Sequence, residues 1–217
     1  MRKIKPAEDE IYHVFNRGVD KRSIFKAQID LERFFDGMKN LNTIETVGHL
    51  ERCRNPVSTN PLVNLIAYNL NPNHFHLILK QVAERGIERY VHRLTVSHSK
   101  YFNLKYDRTG TLFQGRFKAI LVDTNDYLLH LSVYVNLNDK AHARGGRLRL
   151  SKSSWGEYVD ETREEICEKS IILNKFKNKD EYRKFAEKTL RDIINKKIFL
   201  EELGNDMMSK PGFDRNI

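Results

Sequence analysis

His74 and His76 stand one residue apart in the run Asn69-Leu-Asn-Pro-Asn-His-Phe-His-Leu-Ile-Leu-Lys80. Side chains alternate along a β-strand, so two imidazoles at i and i+2 project to one face while Phe75 turns the other way, into a core. A pair of imidazoles on one face suits a divalent metal ion. A chain with eight histidines meets this spacing by chance often enough that the pair alone does not define a site. Two half-buried strand histidines satisfied by hydrogen bonds have the same pattern.

The elements around this pair are legible in order. Ile11-Tyr-His-Val-Phe-Asn-Arg17 is an apolar, aromatic-rich strand that ends at Gly18. From Gln28 to about Leu41, the residues Leu31, Phe34, Phe35, Met38 and Leu41 recur at helical spacing and predict a core-facing helix. Residues 45–60 carry Gly, Pro, Ser and Asn and read as an exposed loop. Leu62 to Leu70 and His74 to Lys80 then make two strands joined by Asn71-Pro72-Asn73, whose Pro and Asn residues favour a tight turn or a bulge. A helix from about Ile87 to Leu104 has an apolar, aromatic side and a basic outer side, and Ala119-Ile-Leu-Val122 is a strand by composition.

Thr124 caps a further helix, about Asn125 to Asn138, whose buried stripe is Leu128, Leu131 and Val135. Tyr127, Tyr134 and Asn138 lie along an adjacent line, which puts Tyr134 and Asn138 on one face, one turn apart. By spacing alone Tyr134 is a boundary aromatic with its hydroxyl in water, and Asn138 is a C-terminal cap.

With 217 residues, 40% of them hydrophobic, the chain can build a core. No apolar run reaches the length of a membrane span, and the first residues lack the apolar stretch of a signal peptide, so a cytoplasmic location without membrane association is expected. Cys53 and Cys167 stand far apart with no CxxC partner, so neither a disulfide framework nor a zinc ribbon is implied. The net charge is +9, yet residues 151–217 hold 14 basic and 14 acidic residues, so the whole excess lies in residues 1–150. Arg85 to Lys118 alone contains eight basic residues against Glu88 and Asp107. A polyanion is the matching partner, although a solvated basic face has the same composition.

Four blocks, in order, carry a resemblance: Tyr12-His-Val-Phe-Asn-Arg-Gly18, Asn71-Pro-Asn-His-Phe-His-Leu77, Arg108-Thr-Gly-Thr-Leu-Phe-Gln-Gly-Arg-Phe-Lys118, and Tyr127-Leu-Leu with Tyr134-Val-Asn-Leu-Asn138. Over about residues 10–145 the chain resembles the single-tyrosine HUH transposases, and within them the REP-associated tyrosine transposases. The resemblance implies an α+β fold, a ferredoxin-like or RRM-like antiparallel sheet flanked by helices. It implies a catalytic domain over 1–150, and 151–217 reads as a C-terminal helical extension that docks on the core, contacts DNA or mediates dimerisation.

Carried over by motif, His74, His76 and Asn138 resemble the ligands of Mg²⁺ or Mn²⁺, and Tyr134 resembles the nucleophile. The implied substrate is single-stranded DNA with a hairpin, cut through a 5′-phosphotyrosine intermediate by a monomer or a homodimer. Arg17, Arg22, Arg108, Gln114, Arg116 and Lys118 are the candidate DNA contacts; Phe113, Phe117 and Tyr106 are aromatics for base stacking or for the core. Asn71 stands where relatives usually carry an apolar residue, and Asp139 where Pro is common.

The implied chemistry is coherent. A phosphodiester is attacked only if its developing charge is stabilised, which a divalent cation does as a Lewis acid. A phenol, with an ordinary pKa near 10, is a weak nucleophile at neutral pH without such help. Imidazole ligation favours Mn²⁺ over Mg²⁺. A non-cleaving DNA- or RNA-binding module with the same fold is the alternative from another class, and intact His74, His76 and Tyr134 argue against it. A replication-type or relaxase-type HUH nickase is the other; Asn138 in place of a second tyrosine at i+4 disfavours the two-tyrosine types.

Overall fold

The computed structural model describes residues 6–45, 60–142, 150–162 and 165–208; Cys53 and most of the loop expected over 45–60 lie outside them. Alternation of apolar residues produces strand β1 (Ile11–Arg17), and helix α1 (Gln28–Asn40) follows a short 3₁₀ turn (Val19–Lys21). Strands β2 (Val63–Asn71) and β3 (His74–Gln81) form a hairpin, helix α2 (Gly86–Lys105) crosses back, and β4 (Lys118–Leu121) closes the set. The expected strands and helices up to this point are all present, with bounds shifted by a residue or two.

The sheet order is β4-β1-β3-β2-β5, with every pair antiparallel. The βαββαβ order with β1 and β3 central is a ferredoxin-like arrangement. The short β5 (Lys152–Ser153) adds to the β2 edge. Beyond β4 come α3 (Asn125–Asn136), α4 (Asn138–His142), α5 (Trp155–Tyr158), α6 (Ser170–Leu173) and α7 (Lys179–Met208).

Two cores sit on the two sides of the sheet. Phe25 before α1, with Leu31, Phe34, Tyr90, Leu94 and Phe102 of helices α1 and α2, covers one face, packed on Tyr12, Val14, Phe75, Leu77 and Leu79. The start of α1 and the end of α2 are tied by the buried Asp30, which accepts hydrogen bonds from Lys105, Tyr101, Tyr106 and the backbone N–H groups of Lys26 and Ala27. Burial alone raises such a carboxyl, but these donors outweigh it and hold Asp30 well below the usual carboxylate range.

On the other face α3, α6 and α7 pack Leu128, Leu131, Val135, Ile172, Tyr182 and Ala186 onto Ile66, Ala67 and Ile78. Buried polar bonds fasten this layer: Tyr182 Oη meets Asn136 and Ser132, and Ser154 joins Asn136 to the Tyr68 backbone. The C-terminal segment therefore docks on the sheet through residues Trp155 to Ala186. Among the described residues no helix is long and apolar enough to cross a membrane.

Candidate active site

Strand parity places the histidines. Phe75 is fully buried against α1 and α2, so His74 and His76 point to the α3 side, as their spacing requires. The neighbouring strands complete two rows across this face. One runs Lys118, Phe15, His76, Asn69, Ser153; the next runs Arg17, His74, Asn71.

Asn69 and Asn71 reach these rows because β2 carries a bulge. Its register shifts between Leu65 and Ala67, so Ile66 is an extra residue and parity reverses there. Val63 and Leu65 face α1 and α2 before it, Tyr68 and Leu70 after it. A bulge of this kind re-aims every side chain beyond it. The sequence holds the signal: Asn64 is even-numbered and Asn69 and Asn71 are odd, so one polar face requires an inserted residue between them.

Across the gap, Thr124 caps α3 by accepting from the Tyr127 N–H at 3.2 Å. Tyr134 projects from α3 toward the histidines, with its ring 5.6 Å from that of His76 and 6.4 Å from that of His13. The helix does not continue through Asn138 as its spacing suggested. Leu137 leaves helical geometry at φ −116°, ψ 21°, and a separate short helix begins at Asn138. The break, stabilised by burial of Leu137, turns Asn138 down onto the sheet, where it is fully buried. Its Oδ1 accepts from Asn71 Nδ2 at 2.7 Å and lies 3.4 Å from His74 Nε2.

The ring nitrogens are oriented by partners. Asn73 Oδ1, an acceptor, lies 2.6 Å from His74 Nδ1, so Nδ1 carries the proton and Nε2 presents its lone pair toward Asn71 and Asn138. His76 Nδ1 lies 2.9 Å from His13 Nε2. Burial pushes His13 down to about 4, so it is neutral at pH 7; in the tautomer in which His13 Nε2 accepts from His76 Nδ1–H, the His76 lone pair lies on Nε2.

Four buried amide atoms around these rings have no hydrogen-bond partner among the described residues: Asn69 Nδ2 and Oδ1, Asn71 Oδ1 and Asn138 Nδ2. Orphans of this kind are rare, and where they cluster they point to a ligand, ion or water. Among the described residues no three His, Cys, Asp or Glu side chains converge as a metal site, so a cation here depends on amide oxygens beside the imidazoles. His74, His76 and Asn138 fit that donor set, a neutral one of nitrogen and oxygen that suits Mn²⁺ or Mg²⁺.

Of the six expected DNA contacts, Arg17, Gln114 and Lys118 stand together on one side and Arg108 and Arg116 on the other. Arg17 donates to Gln114, and Lys118 lies 5.9 Å from the Phe15 ring, beside the histidine row. Arg22 is held locally by Asp20 and the Val19 carbonyl. Arg116 lines a groove of about 800 Å³ on the α2 side, together with Arg85, Arg89, Lys100, Glu88 and Asn16. Arg108 stands beside this groove, bonded to Asn103 and stacked 5.8 Å from Phe102. Of the aromatics, Phe113 is buried in the core and Phe117 is packed against it, while Tyr106 donates to Asp30. Gly115 adopts φ +68°, a left-handed turn between Gln114 and Arg116 that glycine takes without strain. His13, Asn69 and Asn73 belong to the site and were not singled out by sequence, and Asn71 was noted there only as a departure from the family pattern; His13 shares strand parity with Phe15, which is the signal that could have placed it.

The family described as IS200-like transposases matches residues 9–138. A solved structure of a REP-associated tyrosine transposase bound to a REP hairpin is similar at 13% identity, over 76% of this chain and 90% of that one, with a TM-score of 0.49. No curated protein matches the chain.

Proposed function

Because this chain belongs to the IS200-like transposase family, we propose that it cuts and rejoins single-stranded DNA at hairpin-bearing ends, with Tyr134 as the nucleophile. The observation that carries this reading is the placement of Tyr134 over the His74 and His76 face, 5.6 Å between the Tyr134 and His76 rings, with Asn138 brought in beside His74.

Tyr134 Oη attacks the phosphorus, a Tyr–O–P bond forms, and the bond from phosphorus to the 3′ oxygen breaks. Tyr134 gives up one proton and the leaving 3′ oxygen takes one, so the products are a 5′-phosphotyrosine and a 3′-hydroxyl. The phosphotyrosine conserves the energy of the bond for the reverse step, and no nucleotide cofactor is required. His74, His76 and Asn138 would hold Mn²⁺ or Mg²⁺, which when bound supplies Lewis-acid stabilisation of the charge developing on the phosphate. Asn73 fixes the His74 ring, and His13 fixes the His76 ring.

Substrate is held by cation contacts on both sides of the strand ends. Arg17 and Lys118 stand beside the reacting row, and the groove lined by Arg116, Lys100 and Arg89 suits the phosphates of a duplex stem. Residues 1–150 form the catalytic part, and Tyr182 and Ser154 of the extension support α3.

The test is incubation with Mn²⁺ and end-labelled hairpin oligonucleotides from the DNA flanking the gene, followed by a denaturing gel. A protein–DNA adduct lost in Tyr134→Phe and on chelation is the expected result. Tight binding with no adduct on any flanking hairpin would instead favour a non-cleaving binding module. An adduct that persists in Tyr134→Phe would assign the nucleophile elsewhere.

A further inference from the structure

We infer that Asn71 is a further ligand of the cation site, supplying its carboxamide oxygen beside His74, His76 and Asn138; this rests on the metal-site reading above. Asn71 is fully buried at the end of β2 and pairs directly with His74 across the hairpin. The β2 bulge turns it onto the histidine face, and Pro72 follows it in the turn.

Its Nδ2 lies 3.0 Å from His74 Nε2 and 2.7 Å from Asn138 Oδ1. Both of those atoms present lone pairs, since Asn73 fixes the proton of His74 on Nδ1. Two acceptors that are 3.4 Å apart and aimed at one point need positive charge between them. The N–H₂ group of Asn71 supplies partial positive charge at that point.

A purely structural bridging amide accounts for Nδ2 only. It leaves Oδ1 of Asn71 buried without a partner among the described residues, together with Nδ2 of Asn138. The two orientations of a carboxamide have the same shape and are distinguished by their hydrogen-bond partners alone. Rotation about Cβ–Cγ exchanges Oδ1 for Nδ2. Three acceptors, Asn71 Oδ1, Asn138 Oδ1 and His74 Nε2, then converge on one point, a set that repels itself with no cation and coordinates one when it is there. A leucine or methionine at this position would offer no such oxygen.

The experiment is Mn²⁺ titration of the full chain by calorimetry and by electron paramagnetic resonance, with folding checked by circular dichroism melting. The wild type is expected to bind one Mn²⁺, and His74→Ala to lose it. Asn71→Leu is expected to weaken binding about tenfold, the size of effect expected for groups that shape a metal site. Asn71→Asp, which keeps the oxygen and adds charge, is expected to bind more tightly than wild type. If Asn71→Leu binds Mn²⁺ as tightly as wild type while His74→Ala does not bind, Asn71 is a bridge and not a ligand. If Asn71→Leu does not fold, Asn71→Asp decides: binding that is unchanged or weaker overturns the assignment. If wild type binds no Mn²⁺, or His74→Ala binds it unchanged, the metal-site reading itself falls.

Discussion

The two faces of one sheet are built on opposite terms. The face under α1 and α2 is apolar except at the strand ends, where Asn16 and Gln81 lie: Val14, Phe75, Leu77 and Leu79 are fully buried, and Phe34 packs on Phe75 with centroids 5.5 Å apart. The face under α3 is apolar only in its middle, at Ile66, Ala67 and Ile78. Toward the β2–β3 turn it holds His13, His74, His76, Asn69 and Asn71, with orphaned amide atoms among them. The first face supplies stability in excess, through burial worth about 25 cal/mol per Å² of apolar area. The second uses part of it to keep polar groups dry and pre-aimed, a common arrangement where a site must bind charge.

The sharpest way to break this comparison uses adjacent residues. Phe75→Ala should destabilise the fold by about 3–5 kcal/mol through the cavity it leaves, without removing any group from the site. His76→Ala should cost about 1–2 kcal/mol, mostly for the partner left on His13, yet abolish Mn²⁺-dependent cleavage. Urea unfolding beside the adduct assay measures both; similar losses of stability in the two variants would mean that the faces are not specialised.

Acid separates the faces less strongly. His13 on the site face and His98 on the helix face are both pushed down to about 4 by burial, against an ordinary 6.5. The unfolded chain therefore binds more protons between pH 6.5 and 4. Stability is complete above 6.5 and falls as the pH drops through this window, by about 1.4 kcal/mol per pH unit for each histidine. Burial raises Glu157, which acts in the opposite sense near the ordinary carboxylate range; Asp30 titrates below the window. His98→Gln, which keeps a donor for the Ile24 carbonyl that His98 now serves, should flatten the curve by about one proton. An unchanged slope would mean that His98 is not neutral in the fold.

The smallest effect concerns Asn69, whose side-chain amide has both polar atoms buried without partners among the described residues. Asn69→Leu should stabilise the fold by about 1 kcal/mol, raising the Tm by about 2–4 °C, while lowering cleavage. A lower Tm would show that the site face needs this amide for folding.

Much of this was written locally. Apolar, aromatic and β-branched composition with turn residues between located β1 to β4, and the 3.6 period located α1 to α3, because these are properties of each segment alone. Parity also put His74 and His76 on one side and Phe75 on the other. Asn138 illustrates the limit: continuing the helical period through it gave the right neighbourhood but the wrong element, since Leu137 leaves the helix to be buried. The candidate cations were legible as a charge excess, yet not as two groups, Arg17 and Lys118 on one side and Arg108 and Arg116 on the other.

The sequence by itself determined the α+β class, the histidine pair, the tyrosine helix and a basic part over residues 1–150 followed by a neutral extension. Only the tertiary structure decided that Ile66 is a bulge, that Asn69 and Asn71 join the histidine face, that His13 orients His76, and that residues 151–186 complete the second core. Alternation and helical period act within a few residues, whereas register, a helix break and the partner of a buried ring nitrogen are fixed by contacts between segments, such as His13 and His76, 63 residues from each other.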